Sequence, residues 1–223
     1  MNETPLLSPL AALGLLEKSF FEYLGKLSLG AEERSIRTRI GDLAPKTRHL
    51  VHNELDEGNV GFTLLAVAAY DVLQPQLGRE KALHVVDACL NEPLRAWVLE
   101  GTAGMLDASP DPFESITRSS REREAHYFGP SFAFERPVDD GFGYVLHVRR
   151  CLFHETLRAL ERTEVQPVLC RFDLNWIDGI DPARHRMRFA RPSTFATADL
   201  CRMWFMRLEP PMLLKKAHGK TNP

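Results

Sequence analysis

The hydrophobic positions divide the chain into a helical first half and a second half that contains strands. Over residues 8–27, apolar side chains recur every three or four positions, which predicts an amphipathic helix. Residues 34–56 are polar and basic and predict one irregular helix that ends near Gly58. Residues 60–73 are apolar on nearly every side and predict a buried helix. Pro75 should end it, because proline has no backbone N–H to donate.

The pattern remains helical over residues 78–100, where Pro93 predicts a kink or a break. Residues 101–112 are rich in Gly, Ser, Asp and Pro, which is typical of a loop. A short polar helix is expected over residues 118–127. The first half therefore predicts helices that are joined by loops, with no strand among them.

Alternating apolar and polar residues appear only in the second half, where they predict strands around a turn at residues 137–141. The predicted elements are strands at 131–134 and 142–149, helices at 151–162 and 167–177, and strands at 187–190 and 200–208. A run of helices followed by strands predicts an α+β fold. We expect a helical N-terminal half packed on a small, mostly antiparallel sheet, with two short helices in the C-terminal half.

A chain of 223 residues and 25.3 kDa fits one domain with an ordinary hydrophobic core. We therefore predict a single α+β domain over residues 1–223. Residues 1–100 form its helical part, residues 101–214 form the sheet-containing part with the site, and residues 215–223 form a flexible tail.

The net charge and the cysteine pattern limit the classes of partner and cofactor that we expect. The formal net charge of −2 gives no basic field that would attract nucleic acid. The first apolar stretch, residues 5–16, is short and is interrupted by Ser8, Pro9 and Gly14, so neither a signal peptide nor a membrane partner is expected. A cytoplasmic location then predicts four free thiols. No CxxC pair occurs, and we expect no cofactor.

The first candidate for chemistry is the predicted helix that begins at Cys151. Cys151, His154, Glu155 and Arg158 share one face at helical spacing. A thiol at a helix N-terminus, beside a histidine and the cation Arg150, should have a lowered pKa, which would make it a nucleophile or a metal ligand. The same stripe could instead be the solvated face of an amphipathic helix.

The second candidate is Cys170 with Asp173, three residues apart on the next predicted helix. A carboxylate beside a thiol could act as a general base, or as a proton donor to a leaving group. The alternative is a small buried cysteine next to an aspartate that accepts a backbone hydrogen bond.

The last segment offers a third set of residues. Cys201 shares a strand face with Met203 and Phe205, which favours an inert core cysteine. Upstream, Arg191 and Thr194 could bind a carboxylate, because a guanidinium offers two parallel donors and the hydroxyl adds another. Charges on a strand edge can also serve only for solubility.

The order of these motifs resembles the L-2-amino-thiazoline-4-carboxylic acid hydrolase family over roughly residues 78–208. The similar segments are Gly78-Arg-Glu-Lys-Ala-Leu, Arg150-Cys151, Cys170-Arg-Phe-Asp173, Asp178-Gly-Ile-Asp-Pro182, Arg191-Pro-Ser-Thr194 and the strand with Cys201. The chain departs from the family after the last cysteine, where Arg202 stands in place of an acidic residue.

The resemblance implies hydrolytic opening of a thiazoline ring at an amidine-like carbon, with a carboxylate-bearing small molecule as the partner. Cys170 would be the nucleophile and Asp173 its acid–base partner, with Cys151, His154 and Glu155 as second candidates or ligands. Arg191 and Thr194 would bind the anionic end of the substrate. Cys201 and Arg150 are expected beside it.

Two other functions remain open at this point. Cys151, His154, Cys170 and Cys201 would suit a tetrahedral metal site if the fold brought them together. A non-catalytic ligand-binding member of the same fold is the other alternative. The N-terminal third could cover the sheet, form a homodimer interface, or act as a lid.

Overall fold

The structure is a computed structural model that describes residues 7–208. The predicted tail at residues 215–223 lies outside the described residues. The helices are α1 (Pro9–Lys26), α2 (Glu33–Thr47), α3 (Glu54–Leu77), α4 (Arg79–Asp107), α5 (Pro112–Arg123), α6 (Leu152–Ala159), α7 (Gln166–Phe172) and the short α8 (Pro182–His185). The strands are β1 (Ala133–Asp139), β2 (Gly143–Arg150), β3 (Met187–Ser193) and β4 (Cys201–Arg207).

The four strands form one antiparallel sheet in the order β1-β2-β4-β3. The α+β prediction, with helices first and an antiparallel sheet after them, is confirmed. In the central pair, Val148 lies opposite Cys201 and Leu146 lies opposite Met203. Side chains of directly paired residues stand on the same face of a sheet, so these four side chains share one face.

The central helix α3 is buried along most of its length because its residues are apolar on nearly every side. The predicted helix end near Gly58 is wrong, since Gly58 lies inside α3. A Cβ atom there would meet the backbone of Leu10 at 2.4 Å, so glycine allows α1 to approach closely. Pro75 does not end α3 either. The helix continues to Leu77 and stops at Gly78, whose φ of 79° suits glycine.

The predicted loop at residues 101–112 is also wrong over most of its length. Helix α4 passes through Pro93 and continues to Asp107. Its last turns are held by packing, because Leu106 is completely buried and Met105 packs beside it. This tertiary burial outweighs the low helix propensity of Gly101 and Gly104. The true break comes at Asp111, whose side chain caps α5 by accepting from the Glu114 backbone N–H at 3.1 Å.

Strand and helix boundaries in the second half shift by a few residues. Strand β1 takes in part of the predicted turn at 137–141. Helix α7 ends at Phe172 instead of near residue 177, and Asp173 caps it. The Trp176 indole donates to the Asp173 carbonyl at 2.7 Å, so the chain turns here instead of continuing as a helix. Within residues 7–208, no helix is long and apolar enough to cross a membrane.

Two apolar clusters make up the core. One gathers the inner faces of α1 to α4 with α6 and α7, and it includes Val148 and Cys201 from the sheet. The other lies between the end of α4, α5 and the opposite part of the sheet, around Phe113, Tyr144 and Phe205. A cavity opens where the two clusters meet, and it positions the residues described next.

Candidate active site

A cavity of about 630 Å³ lies over the inner face of the sheet, enclosed by parts of α4, α5, α6 and α7. Val148, Leu146, Cys201, Met203 and Phe205 form its floor from β2 and β4. Its lining is predominantly apolar, with a small number of polar groups. This size and composition are typical of small-molecule sites.

Three of the four cysteines line this cavity. We call Cys151, Cys170 and Cys201 the thiol cluster. Cys151 follows the end of β2 and caps α6, Cys170 lies on α7, and Cys201 begins β4. Their convergence depends on the pairing of Val148 with Cys201, which brings the end of β2 beside the start of β4. Cys89 lies elsewhere, in the helical core.

A short hydrogen-bond chain holds Cys170. Gln166 precedes Cys170 by four residues on α7, and its side-chain amide donates a hydrogen bond to the Cys170 sulfur at 3.2 Å. The Gln166 side-chain oxygen is 2.9 Å from His154 Nδ1, and the His154 ring stacks on Phe195 with ring centres 4.9 Å apart. His154 therefore acts on the thiol cluster through Gln166 and fixes which end of that amide points to the sulfur.

Arg191 connects the cysteines to Asp173. Its guanidinium donates to the Cys170 carbonyl at 3.1 Å and to the Cys201 sulfur at 3.3 Å, and lies 3.2 Å from the Asp173 carboxylate. Arg123, from α5, lies 3.7 Å from the other carboxylate oxygen. The Arg191 side chain is only 8 % exposed. Among the described residues, its Nε is buried and has no hydrogen-bond partner.

The electrostatics differ from the expectation for Cys151. Burial raises the pKa of the Cys151 thiol above its ordinary value, and the hydrogen bond from the His154 backbone N–H opposes this without reversing it. The predicted lowering at the helix N-terminus is therefore wrong. Burial also raises the pKa of Cys201, against the opposing charge of Arg191. Burial tends to lower the pKa of Arg191, but Asp173 and Cys201 raise it overall.

A second polar group on the cavity wall is centred on Glu124. This residue is 4 % exposed and accepts hydrogen bonds from Ser120, Tyr144 and Arg136. Burial and the contact with Glu124 raise the pKa of Tyr144 to about 12. Glu124 lies in a π-helical turn, Glu124–Phe128, and such turns are frequent at functional sites.

Four predicted site residues do not line the cavity, and they are His154, Glu155, Thr194 and Arg150. His154 reaches Cys170 only through Gln166. Glu155 lies 4.0 Å from Arg158 on the same helix. The Thr194 hydroxyl accepts from the Ala196 backbone N–H at 3.1 Å within its own loop. Arg150 donates to the carbonyl groups of Ser131 and Pro130, both at 2.9 Å, and so ties down the start of β1. The Thr194 hydroxyl is thus engaged within its own loop, whereas Arg123 lies with Arg191 at the Asp173 carboxylate.

Several cavity residues had no predicted role, namely Gln166, Arg123, Glu124, Tyr127 and Asn175. Gln166 had a usable signal, because it precedes Cys170 by four residues and so shares its helix face. The others come from α5, the π-helical turn and the segment after α7, and their spacing does not connect them to the cysteines.

Within residues 7–208, no three His, Cys, Asp or Glu side chains are arranged to hold a metal ion. The four-ligand metal site therefore gains no support.

The family model described as L-2-amino-thiazoline-4-carboxylic acid hydrolase matches residues 59–205, well over half of the chain. The matched segment begins in α3 and contains the thiol cluster, Asp173, Arg191 and Arg123. No curated protein and no solved structure matches the chain.

Proposed function

Because the chain belongs to the L-2-amino-thiazoline-4-carboxylic acid hydrolase family, we propose that its cavity opens a thiazoline-like ring by hydrolysis, with Cys170 as nucleophile. One observation carries this proposal: three cysteines and the Asp173–Arg191 pair line a single cavity within the matched segment. A thiol, a carboxylate and a guanidinium together suit a substrate with an electrophilic carbon, a basic nitrogen and a carboxylate.

Cys170 is the best placed of the three thiols. It is half-buried, whereas Cys201 is 2 % exposed, and burial raises the pKa of Cys151 and Cys201. A thiolate, not a thiol, is the attacking species, so Cys151 and Cys201 are less reactive at neutral pH. The Gln166 amide, 3.2 Å from the Cys170 sulfur, donates a hydrogen bond to it and so holds the sulfur in place at the cavity wall.

Asp173 is positioned to handle protons. It directly follows the last residue of α7, three positions after Cys170. Arg191 lies beside one of its carboxylate oxygens and Arg123 lies beside the other. A carboxylate fixed in this way can accept a proton from water or from a ring nitrogen without turning away from the substrate. Its role here is acid–base chemistry, while the arginines orient it.

The substrate carboxylate is assigned to the arginines. Arg191 and Arg123 both line the cavity beside the thiol cluster, and Arg123 is partly exposed there. Guanidinium groups bind carboxylates through paired N–H donors. Thr194, expected beside Arg191 from the sequence, uses its hydroxyl within its own loop, so Arg123 is the better second donor.

The proposed reaction balances with one water. The Cys170 sulfur adds to the amidine-like carbon, and either the ring carbon–sulfur or the ring carbon–nitrogen bond breaks, with a proton passing to the leaving atom. Water then adds to the same carbon and displaces the Cys170 thiolate, as Asp173 accepts a proton from that water. The product is a carbamoyl-cysteine, and the enzyme returns to its starting state.

The test is direct incubation of the purified chain with L-2-amino-thiazoline-4-carboxylate, with the carbamoyl-cysteine product measured by mass spectrometry. Cys170→Ser should lower kcat by at least about a hundredfold, because a hydroxyl replaces the nucleophile. A trapped adduct on the peptide that contains Cys170 would identify the covalent step.

Two control variants match this test. Cys89→Ala removes a cysteine outside the cavity, and Glu155→Gln changes a predicted site residue that does not line it. Both should retain kcat within about twofold. If Cys170→Ser opened the ring at an undiminished rate, the assignment of Cys170 as the nucleophile would be wrong. No product from any thiazoline carboxylate would contradict the proposed reaction.

A further inference from the structure

The cavity is much larger than the ring that the family name describes. Pockets of roughly 300–1,000 Å³ hold drug-sized ligands, and this one measures about 630 Å³. A five-membered ring with one amino and one carboxyl group would leave most of that space empty. We infer that the substrate of this chain carries an additional aryl-sized apolar group next to its thiazoline-like ring. This inference rests on the proposed function, because it places the ring at the thiol cluster.

The floor of the cavity is long enough for a ligand that extends beyond the thiazoline-like ring. Cys201, Met203 and Phe205 all line it from the same face of β4. At about 3.3 Å per residue, the floor runs roughly 13 Å from Cys201 to Phe205. The reacting groups lie at the Cys201 end, since Arg191 contacts the Cys201 sulfur. A thiazoline-sized ring held there covers only the first part of this floor and leaves apolar floor beyond it.

The far end of the floor is aromatic. Trp176 stacks against Phe205 with ring centres 5.7 Å apart and an angle of 10° between the rings. Both side chains line the cavity. Aromatic rings favour stacked or edge-on contact with other rings, so this end suits an aryl group.

One face of α4 forms the adjoining wall. Trp97, Gly101 and Met105 follow each other at intervals of four residues and all line the cavity. Trp97 is 67 % exposed, so within residues 7–208 a large aromatic surface at the edge of the cavity is left uncovered. Apolar surface of this kind contributes to binding when a ligand covers it.

The charged groups nearby do not change this assignment. Glu124 is the acidic residue on this part of the wall, and Ser120, Tyr144 and Arg136 already donate to it. A further polar substituent on the ligand would therefore find its best partner already engaged. An apolar group needs no such partner.

The test uses two probes that cannot be hydrolysed in the same way as the thiazoline. They are 2-aminothiazole-4-carboxylate and its 2-benzylamino derivative, and binding is measured by isothermal titration calorimetry. The benzylamino compound should bind at least tenfold more tightly. Gly101→Phe should remove this advantage, because a Cβ at Gly101 meets nothing within 4 Å and the ring would occupy the cavity.

Gly104→Phe is the matched control. Gly104 lies on the same helix, a Cβ there also meets nothing within 4 Å, and it does not line the cavity. This variant should keep the tenfold preference. Equal or weaker binding of the benzylamino compound to the unmodified chain would overturn the inference and leave the proposed reaction standing.

Two further outcomes separate the proposals. Tight binding of the benzylamino probe, together with no turnover of any thiazoline carboxylate, would support the apolar ligand and contradict the hydrolase. Failure of both probes to bind at millimolar concentration would contradict both.

Discussion

Cys89 and Cys201 are exposed to nearly the same small extent, 1 % and 2 %, but their surroundings differ in kind. Cys89 lies in a filled helical core, where burial alone raises its pKa to about 12. Cys201 borders a hollow, and Arg191 donates to its sulfur. Cys89 does not line the cavity. The surroundings of Cys201 keep polar groups paired with one another around open space.

This difference separates a part of the molecule organised for stability from the part to which the proposed function assigns binding. A filled apolar core follows from the requirement to remove side chains from water, and it needs no polar neighbour. A buried arginine–carboxylate pair such as Arg191–Asp173 adds little net stability, because the cost of removing both charges from water offsets their attraction, so stability alone does not explain it. Binding and chemistry supply the explanation in the proposed function.

The largest expected effect concerns packing. Leu65→Ala, at a completely buried position of α3, should lower the free energy of unfolding by about 3–4 kcal/mol, because the filled core cannot close around the missing atoms. Met203→Ala, on the cavity floor, should lower it by only about 1 kcal/mol, since that side chain already borders empty space. Urea unfolding monitored by circular dichroism measures both. Equal losses would mean that the cavity is as tightly packed as the helical core.

The helical core was largely predictable, because its physics is local. The unbroken apolar run in α3 indicated a buried helix, and only its ends were misplaced. Those ends depend on Gly58, which admits α1, and on Gly78, which supplies the terminal turn. The end of α4 was predicted as a loop because its glycines and the following Ser, Asp and Pro residues suggest one. Burial of Leu106 decides otherwise, and that burial depends on the distant partners Tyr144 and Phe205.

The candidate site was predictable in part. Cys170 and Asp173 share a helix turn, so their proximity followed from spacing. Arg191 is far from Asp173 along the chain, and Arg123 still farther, so their convergence follows only from the folded arrangement of α5, α7 and β3. Thr194 and Glu155 looked suitable because they neighbour good candidates in sequence. Their side chains make local contacts instead.

The second expected effect concerns the buried ion pair. Asp173→Asn should lower the free energy of unfolding by about 2–3 kcal/mol, because the guanidinium of Arg191 then loses its charged partner in a buried position. Asp178→Asn is the control, since the Arg95–Asp178 pair is exposed and should change stability by less than about 0.5 kcal/mol. Urea unfolding compares the two variants. A loss from Asp178→Asn that matches the loss from Asp173→Asn would remove the distinction between cavity and surface.

The smallest effect concerns the response of the two buried thiols to alkaline pH. A thiol whose pKa is raised by folding stabilises the folded state below its unfolded pKa of about 8.5, and that stabilisation is lost as the pH rises toward the folded value. For Cys89, with a pKa of about 12, the loss near pH 10 should be roughly 2 kcal/mol, at 1.36 kcal/mol per pH unit. For Cys201 it should be smaller, because Arg191 opposes the effect of burial. Urea unfolding between about pH 7.5 and pH 10 should therefore show that Cys89→Ala weakens the alkaline decline more than Cys201→Ala does. The opposite order would mean that the Arg191 contact does not favour the Cys201 thiolate, and the electrostatic difference between the filled core and the cavity would then be lost.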